Sequence, residues 1–211
     1  MADRTRRLIL QLIGACAAAG SGWLAGCDKT AVPGAAAPPA QFKGIDITGA
    51  NYALELSLPD TEGRRRSLAD FKGRAVVVFF GFTQCPDVCP ATLLELAEVK
   101  KALGADGARV QGVFVTVDPE RDTPEVLKAY VGNFGSDFVA LRGTLDETKA
   151  VAKHFKVYFN KVPGATPSTY SVDHTAGSFV FDGQGRVRLF TRYGTGTAPL
   201  VHDLKLLLAE T

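Results

Sequence analysis

Sulfur, indole and excess charge are all scarce in this chain. Its 211 residues hold one methionine and one tryptophan. Both, Met1 and Trp23, fall within the first 26 residues. Without that segment the chain has no thioether to offer a metal. The formal net charge is +2 at pH 7. Three arginines and one aspartate belong to residues 1–26, so 21 basic residues face 21 acidic ones in the remainder. No basic stripe runs along any segment, and nucleic acid is not an expected partner. No internal repeat is present. With 46% hydrophobic and 22% charged residues, the body has neither a disordered nor a membrane-protein composition. The length predicts one domain with appendages.

The first appendage reads as a targeting segment. Arg4, Arg6 and Arg7 form a basic start, and residues 8–19 form an apolar stretch too short to span a bilayer comfortably. Leu24-Ala25-Gly26-Cys27 then resembles the lipobox of bacterial lipoproteins, in which the peptide is cut before the cysteine and the cysteine is lipidated. Asp28 resembles an inner-membrane retention signal. Thr5-Arg6-Arg7 bears a weaker likeness to a twin-arginine signal. An ordinary signal peptide or an uncleaved anchor are the alternatives. The expectation is a lipoprotein signal peptide over residues 1–26, an Ala-, Pro- and Gly-rich flexible tether over 27–44, and a folded domain over 45–211. Cys27 would hold the domain on the periplasmic side of the bacterial inner membrane. Cys16 leaves with the signal, so Cys85 and Cys89 are then the only free thiols. A thiol pair facing an oxidising compartment must either cycle or hold a metal.

The body reads as alternating strands and helices. Leu54, Leu56 and Leu58 alternate with Glu55 and Ser57, which predicts a half-buried strand. Residues 60–63 form a turn and 64–68 return, giving an N-terminal hairpin whose three consecutive arginines face solvent. Residues 76–80 are a continuous apolar run, expected as a central strand covered on both faces. Pro90 suits a first helical position, and Gly104 suits the position past the end of that helix. A strand over 110–117, a helix over 125–134 and a short strand over 138–141 follow. Thr144 and Glu147 form a capping box for a helix running to Phe155. Residues 160–172 read as a long loop and a candidate docking surface. Strands at 178–181 and 186–193, joined by the turn 182–185, precede a closing amphipathic helix at 198–208. This order predicts an α/β class with a central mixed sheet flanked by helices, and the thiol pair after its first central strand points to a thioredoxin-like fold.

The chemistry gathers in residues 81–90, G-F-T-Q-C-P-D-V-C-P. Cys85 and Cys89 are four apart, so in a helical register their sulfurs converge on one face. A strand end turning into a helix supplies free backbone N–H groups and a positive dipole end, which favour thiolates. Asp87 between them opposes thiolates but helps hold a cation, or is simply a turn residue. Three histidines remain. His154 and His202 lie in helical patterns and read as structural. His174 closes the long loop just before a strand, and Asp173 is a candidate acceptor for its other ring nitrogen. Two thiolates and one imidazole suit Cu(I), Cu(II) or Zn(II), and the spacing does not choose between copper and zinc. Structural zinc normally takes four protein ligands, whereas an incomplete set fits an ion that is handed on.

Three motifs in order resemble the SCO/SenC family of copper chaperones: residues 81–90, V-D-P-E-R-D-T-P at 117–124, and V-D-H-T at 172–175. The likeness runs from about Phe42 to the C-terminus. It implies a thioredoxin-like fold, a copper ion held by Cys85, Cys89 and His174, and delivery to the binuclear copper centre of cytochrome c oxidase during assembly. The partners it implies are the copper-site subunit of that oxidase and a periplasmic copper donor or thiol reductant. Asp118 and Asp122 match the second motif without a metal role. Asp118 is expected to cap backbone N–H groups in a turn. Competing readings are a thiol–disulfide oxidoreductase with Cys85 and Cys89 as its redox-active pair, a copper or redox sensor, and a peroxidase.

Overall fold

The computed structural model describes residues 41–166 and 169–210. The expected signal peptide, Cys27 and most of the expected tether lie outside the described residues. Among the described residues no helix is long and apolar enough to cross a membrane.

The chain opens with β1 (Ile45–Asp46), the hairpin β2 (Ser57–Pro59) and β3 (Arg65–Ser67), and β4 (Ala75–Gly81). Helix α1 (Val88–Ala102) leads to β5 (Val110–Thr116), α2 (Pro124–Gly132), β6 (Val139–Leu141) and α3 (Leu145–His154). A second hairpin, β7 (Phe159–Val162) with β8 (Ser171–His174), precedes β9 (Gly177–Phe181), β10 (Val187–Arg192) and α4 (Thr197–Ala209). Six strands form one sheet in the order β1-β10-β9-β4-β5-β6. β4, β5 and β6 run parallel, while β9 is antiparallel to β4 and β10 to β9. This mixed sheet with flanking helices is the expected thioredoxin-like arrangement.

β4 and β5 sit at the centre because every residue of both is buried. Val, Phe and other strand-favouring residues fill them without the alternation of a solvated face. Successive side chains point to opposite faces. Phe79 meets Phe114 at 5.9 Å between ring centroids, whereas Phe80 packs edge-on against Phe155 at 5.1 Å on the other side. Helix α1 buries Cys89, Leu93, Leu96 and Val99, the three- and four-residue steps of one helical face. Gly104, with φ +61°, follows its C-terminus, where a left-handed residue is needed. Thr144 and Glu147 do form a capping box on α3.

Both sharp turns of the two sheet hairpins use one device. Asp60 Oδ1 accepts from the N–H groups of Glu62 (3.0 Å) and Arg64 (2.9 Å), and its Oδ2 accepts from Arg66 Nε at 2.8 Å. Asp182 Oδ1 likewise accepts from Gln184 and Arg186 N–H, each at 3.0 Å, and its Oδ2 accepts from Arg186 Nε at 2.8 Å. Gly63 and Gly185 supply the positive φ in each turn.

Four expectations need correction. The strand at Leu54–Leu58 is shorter: Ala53 has φ +56° and Leu54 is 60% exposed, so pairing begins only at Ser57. Helix α1 starts at Val88, which makes Pro90 its third residue. Proline costs little there because the first turn has no intrahelical use for its N–H. Residues 160–172 are not one long loop. Their ends pair as β7 and β8, with Asn160 opposite Asp173 and Val162 opposite Ser171. Arg64 and Arg66 are also less idle than three solvated arginines, since both bond to Asp60.

Candidate metal centre

The site lies where several elements end. β4 finishes at Gly81, and residues 82–87 carry the chain into α1. β9 runs antiparallel to β4 with Phe79 opposite Ser178, so the segment entering β9 arrives at the carboxyl end of β4. That segment is β8, and His174 is its last residue. Along β8 exposure alternates: Ser171 and Asp173 face solvent, Val172 is buried and His174 is half-buried. His174 thereby turns inward onto the cysteines, and Asp173 turns away.

One ligand atom from each of Cys85, Cys89 and His174 lies within 4.8 Å of the other two. Among the described residues no other three Cys, His, Asp or Glu side chains converge in this way. Cys89 Sγ is 3.5 Å from His174 Nε2. Cys85 Sγ accepts from the Cys89 backbone N–H at 3.4 Å, one of the donors a helix start leaves without an intrahelical partner. Cys89 is fully buried and Cys85 half-buried. The buried sulfur fits because residue 81 is glycine. A Cβ there would stand 2.8 Å from Cys89 Sγ and 2.9 Å from ring carbons of Phe79 and Phe114.

Burial pushes the Cys89 thiol well above its ordinary range, the neighbouring Cys85 adds to this, and a backbone hydrogen bond from Phe82 opposes it. The expected thiolate-favouring helix start is therefore outweighed at Cys89 by desolvation. Burial lowers His174, against smaller upward effects from the Thr175 carbonyl and Asp173. His174 Nδ1 lies 3.2 Å from the Thr175 carbonyl oxygen. That oxygen only accepts, so Nδ1 carries the proton and the Nε2 lone pair faces Cys89. Phe79 and Phe82 pack edge-on to the imidazole, each with ring centroids 6.0 Å away. The ring is thus fixed in tautomer and in direction, as a metal-ligating histidine requires.

Other expectations fare differently. The acceptor for His174 is the Thr175 carbonyl and not Asp173, because adjacent strand residues point to opposite faces. Asp87 is exposed, is the N-cap residue of α1 and makes no side-chain cap. It lies outside the ligand cluster. His154 is exposed at the end of α3, and His202 Nδ1 meets Asp203 Oδ1 at 2.8 Å. Asp118 does not cap backbone N–H groups with its carboxylate. It accepts from Arg121 Nε and from the Tyr170 hydroxyl at 2.7 Å. Asp122 is buried and accepts from the Thr83 N–H and from the hydroxyls of Thr83 (2.6 Å) and Thr116 (2.5 Å). Burial raises Asp122 despite those bonds. Thr83, Arg121 and Tyr170 were not singled out from the sequence. Their only sequence signal is that each stands inside or just before one of the three motifs.

Two sulfurs and one imidazole nitrogen form a soft-to-borderline donor set in which Cys85 and His174 are half-buried and Cys89 is enclosed. The same two sulfurs are a potential dithiol–disulfide couple.

The chain is similar to known proteins. A family model described as SCO1/SenC matches residues 46–209. The SCO2 homolog, mitochondrial, of Bos taurus is 38% identical over 141 residues, covering 66% of this chain and 52% of its own. The chain thus spans about half the length of that relative. The structure of Bradyrhizobium japonicum ScoI with copper bound aligns with a TM-score of 0.66 at 36% identity, covering 72% of this chain and 97% of that one. A SCO1/SenC family lipoprotein from Bacillus anthracis str. Ames aligns with a TM-score of 0.64 at 27% identity, covering 75% and 96% respectively.

Proposed function

The chain belongs to the SCO1/SenC family, and on that premise we propose that it carries copper on Cys85, Cys89 and His174 and hands it to the copper-site subunit of cytochrome c oxidase during assembly. The convergence of two thiols and one imidazole within 4.8 Å carries this reading. The similar Bradyrhizobium japonicum protein, which has copper bound, supports the choice of metal.

The three residues have separable roles. Half-buried Cys85 is the ligand an incoming or outgoing partner reaches first. Fully buried Cys89 closes the site from behind, and half-buried His174 flanks it between the rings of Phe79 and Phe82. Loading releases protons from both thiols, so copper affinity rises with pH. A three-ligand set leaves a position for an acceptor's own ligand, which permits transfer by exchange. Oxidation to a Cys85–Cys89 disulfide removes both thiolates and empties the clasp, so loading depends on the redox poise and on a thiol reductant.

The test is copper titration of the reduced full chain. Cys85→Ser, Cys89→Ser and His174→Ala are each expected to weaken binding at least about tenfold. Unchanged affinity in any of the three overturns the assignment of that ligand.

For location, our reading is a lipid anchor at Cys27 on the periplasmic side of the inner membrane. The four-residue lipobox and the similar Bacillus anthracis lipoprotein support it. Cys27→Ser should abolish incorporation of a labelled fatty acid into the protein. Wild type that takes up no label would refute the anchor.

A further inference from the structure

Arg121 lies in the connection between β5 and α2 and bonds to none of the three proposed ligands. Its Nη1 donates to Gln84 Oε1 at 2.9 Å and to the Tyr170 carbonyl at 2.8 Å. Gln84 immediately precedes Cys85. Tyr170 immediately precedes β8, the strand that ends in His174. One nitrogen therefore joins the segment that brings the thiols to the hairpin that brings the imidazole.

The arginine is itself held from several sides. Asp118, 1% exposed at its side chain, binds Nε through Oδ2 at 2.5 Å. The other oxygen of Asp118 accepts from the Tyr170 hydroxyl at 2.7 Å, which closes a ring of three side chains. The guanidinium carbon stands 3.6 Å from the Tyr170 ring centroid and 5.8 Å from that of Phe82. Phe82 in turn packs edge-on against His174. Arg121 Nη2 is buried with no partner. That orphaned donor is a cost to the fold, so the arrangement is not one that maximises stability.

We propose that Arg121 is a positioning residue that sets His174 against the Cys85–Cys89 pair, tying the β7–β8 hairpin to the cysteine loop. Asp122 holds the cysteine loop separately, through Thr83. Loss of Arg121 therefore frees the imidazole arm while the thiols stay in place. The consequence for copper rests on the function proposed above. The geometric claim does not.

Two measurements on the reduced full chain test it, with Arg121→Gln and Arg121→Lys as variants. Lysine keeps the charge but cannot bridge two acceptors while stacking on a ring. Without metal, the ring-nitrogen NMR shifts of His174 report the tautomer. The wild type should show Nδ1 protonated, and both variants should move towards the average of the two tautomers. With Cu(I) in competition against a chelator, each variant should bind about tenfold more weakly. Adding either variant to His174→Ala should cause no further loss, because the side chain that Arg121 positions is already gone.

Unchanged ring-nitrogen shifts, or losses that add in the double variant, overturn the positioning role. If Arg121→Gln does not fold, Arg121→Lys is read in the same way. A wild type that fails to bind copper refutes the proposed function, and the ring-nitrogen result still decides the role of Arg121.

Discussion

Cys89 Sγ and His174 Nε2 stand 3.5 Å apart, although 85 residues separate them in the chain. Strand order brings this about. β9 enters the sheet beside β4 in the opposite direction, so the residues just before β9 lie over the carboxyl end of β4. The sulfur faces the ring nitrogen that carries a lone pair, because the other nitrogen keeps the proton and donates it in a hydrogen bond to the Thr175 carbonyl. Burial raises the thiol and lowers the imidazole, so proton transfer from sulfur to ring nitrogen is disfavoured, and a metal shared by the pair must displace the thiol proton.

That relationship separates copper carriage from thiol–disulfide exchange. Exchange needs Cys85 in front and Cys89 behind it, and makes no use of the imidazole. His174→Ala should therefore lower copper affinity at least about tenfold and leave the rate of reaction with a small disulfide unchanged. A variant that keeps its copper affinity but exchanges disulfides slowly would reverse the assignment. Rapid peroxide consumption dependent on Cys85 would instead favour a peroxidase.

Glycine 81 should prove more demanding than its place at a strand end suggests. Gly81→Ala puts a methyl group 2.8 Å from Cys89 Sγ and 2.9 Å from two phenylalanine rings. Overpacking of this kind costs about 1–3 kcal/mol, and here it also displaces a proposed ligand. Gly104→Ala is the contrast, because its Cβ meets no atom within 4 Å and only the positive φ opposes it. The expected cost is about 1–2 kcal/mol with unchanged copper affinity. Urea denaturation and copper competition on both variants check this. Equal effects on affinity would show that Gly81 acts through global stability alone.

The central strands were legible because their apolar runs are continuous, and α3 because its capping box is local. β7 and β8 were not, since Asn160, Lys161 and Val162 are exposed on an outer hairpin and show no apolar alternation. Missing that hairpin hid the direction of Asp173, whose neighbourhood to His174 in sequence becomes opposition across a strand. The three proposed ligands could be named from motifs, whereas their convergence needed the antiparallel pairing of β9. Arg121 sat in a recognisable motif, but its bonds run to residues 37 and 49 positions away. The short turn pattern D-x-x-G-R-x-R shared by residues 60–66 and 182–188 went unread in the sequence, because its meaning lies in the bonds each aspartate makes.

Asp203 ties the start of the domain to its last helix. Its buried carboxylate accepts from the Lys43 N–H (2.8 Å) and the Gly44 N–H (2.7 Å). Asp203→Ala should leave those two donors without a partner, at a cost of about 1–3 kcal/mol. Residues 43–46 should lose protection from hydrogen exchange, while copper affinity stays the same because the proposed ligands lie elsewhere. Full protection of residues 43–46 in the variant would count against the tie.

Asp182 should make the domain acid-sensitive. Burial raises its carboxyl, but bonds from the Arg186 side chain and from the Arg186 and Gln184 N–H groups together bring it below the usual range. A carboxyl depressed in the folded state favours folding when ionised. Its contribution is present above the unfolded value of about 4 and fades as pH falls through the lower folded value. Asp182→Asn should therefore be less stable than wild type by about 1–3 kcal/mol at pH 7. The gap should start to shrink below about pH 4, where the unfolded carboxyl protonates, and keep shrinking until the folded carboxyl is neutral too. Urea denaturation at pH 7 and pH 3 measures it. A gap of the same size at both pH values would mean that the side chain acts by shape and not by charge.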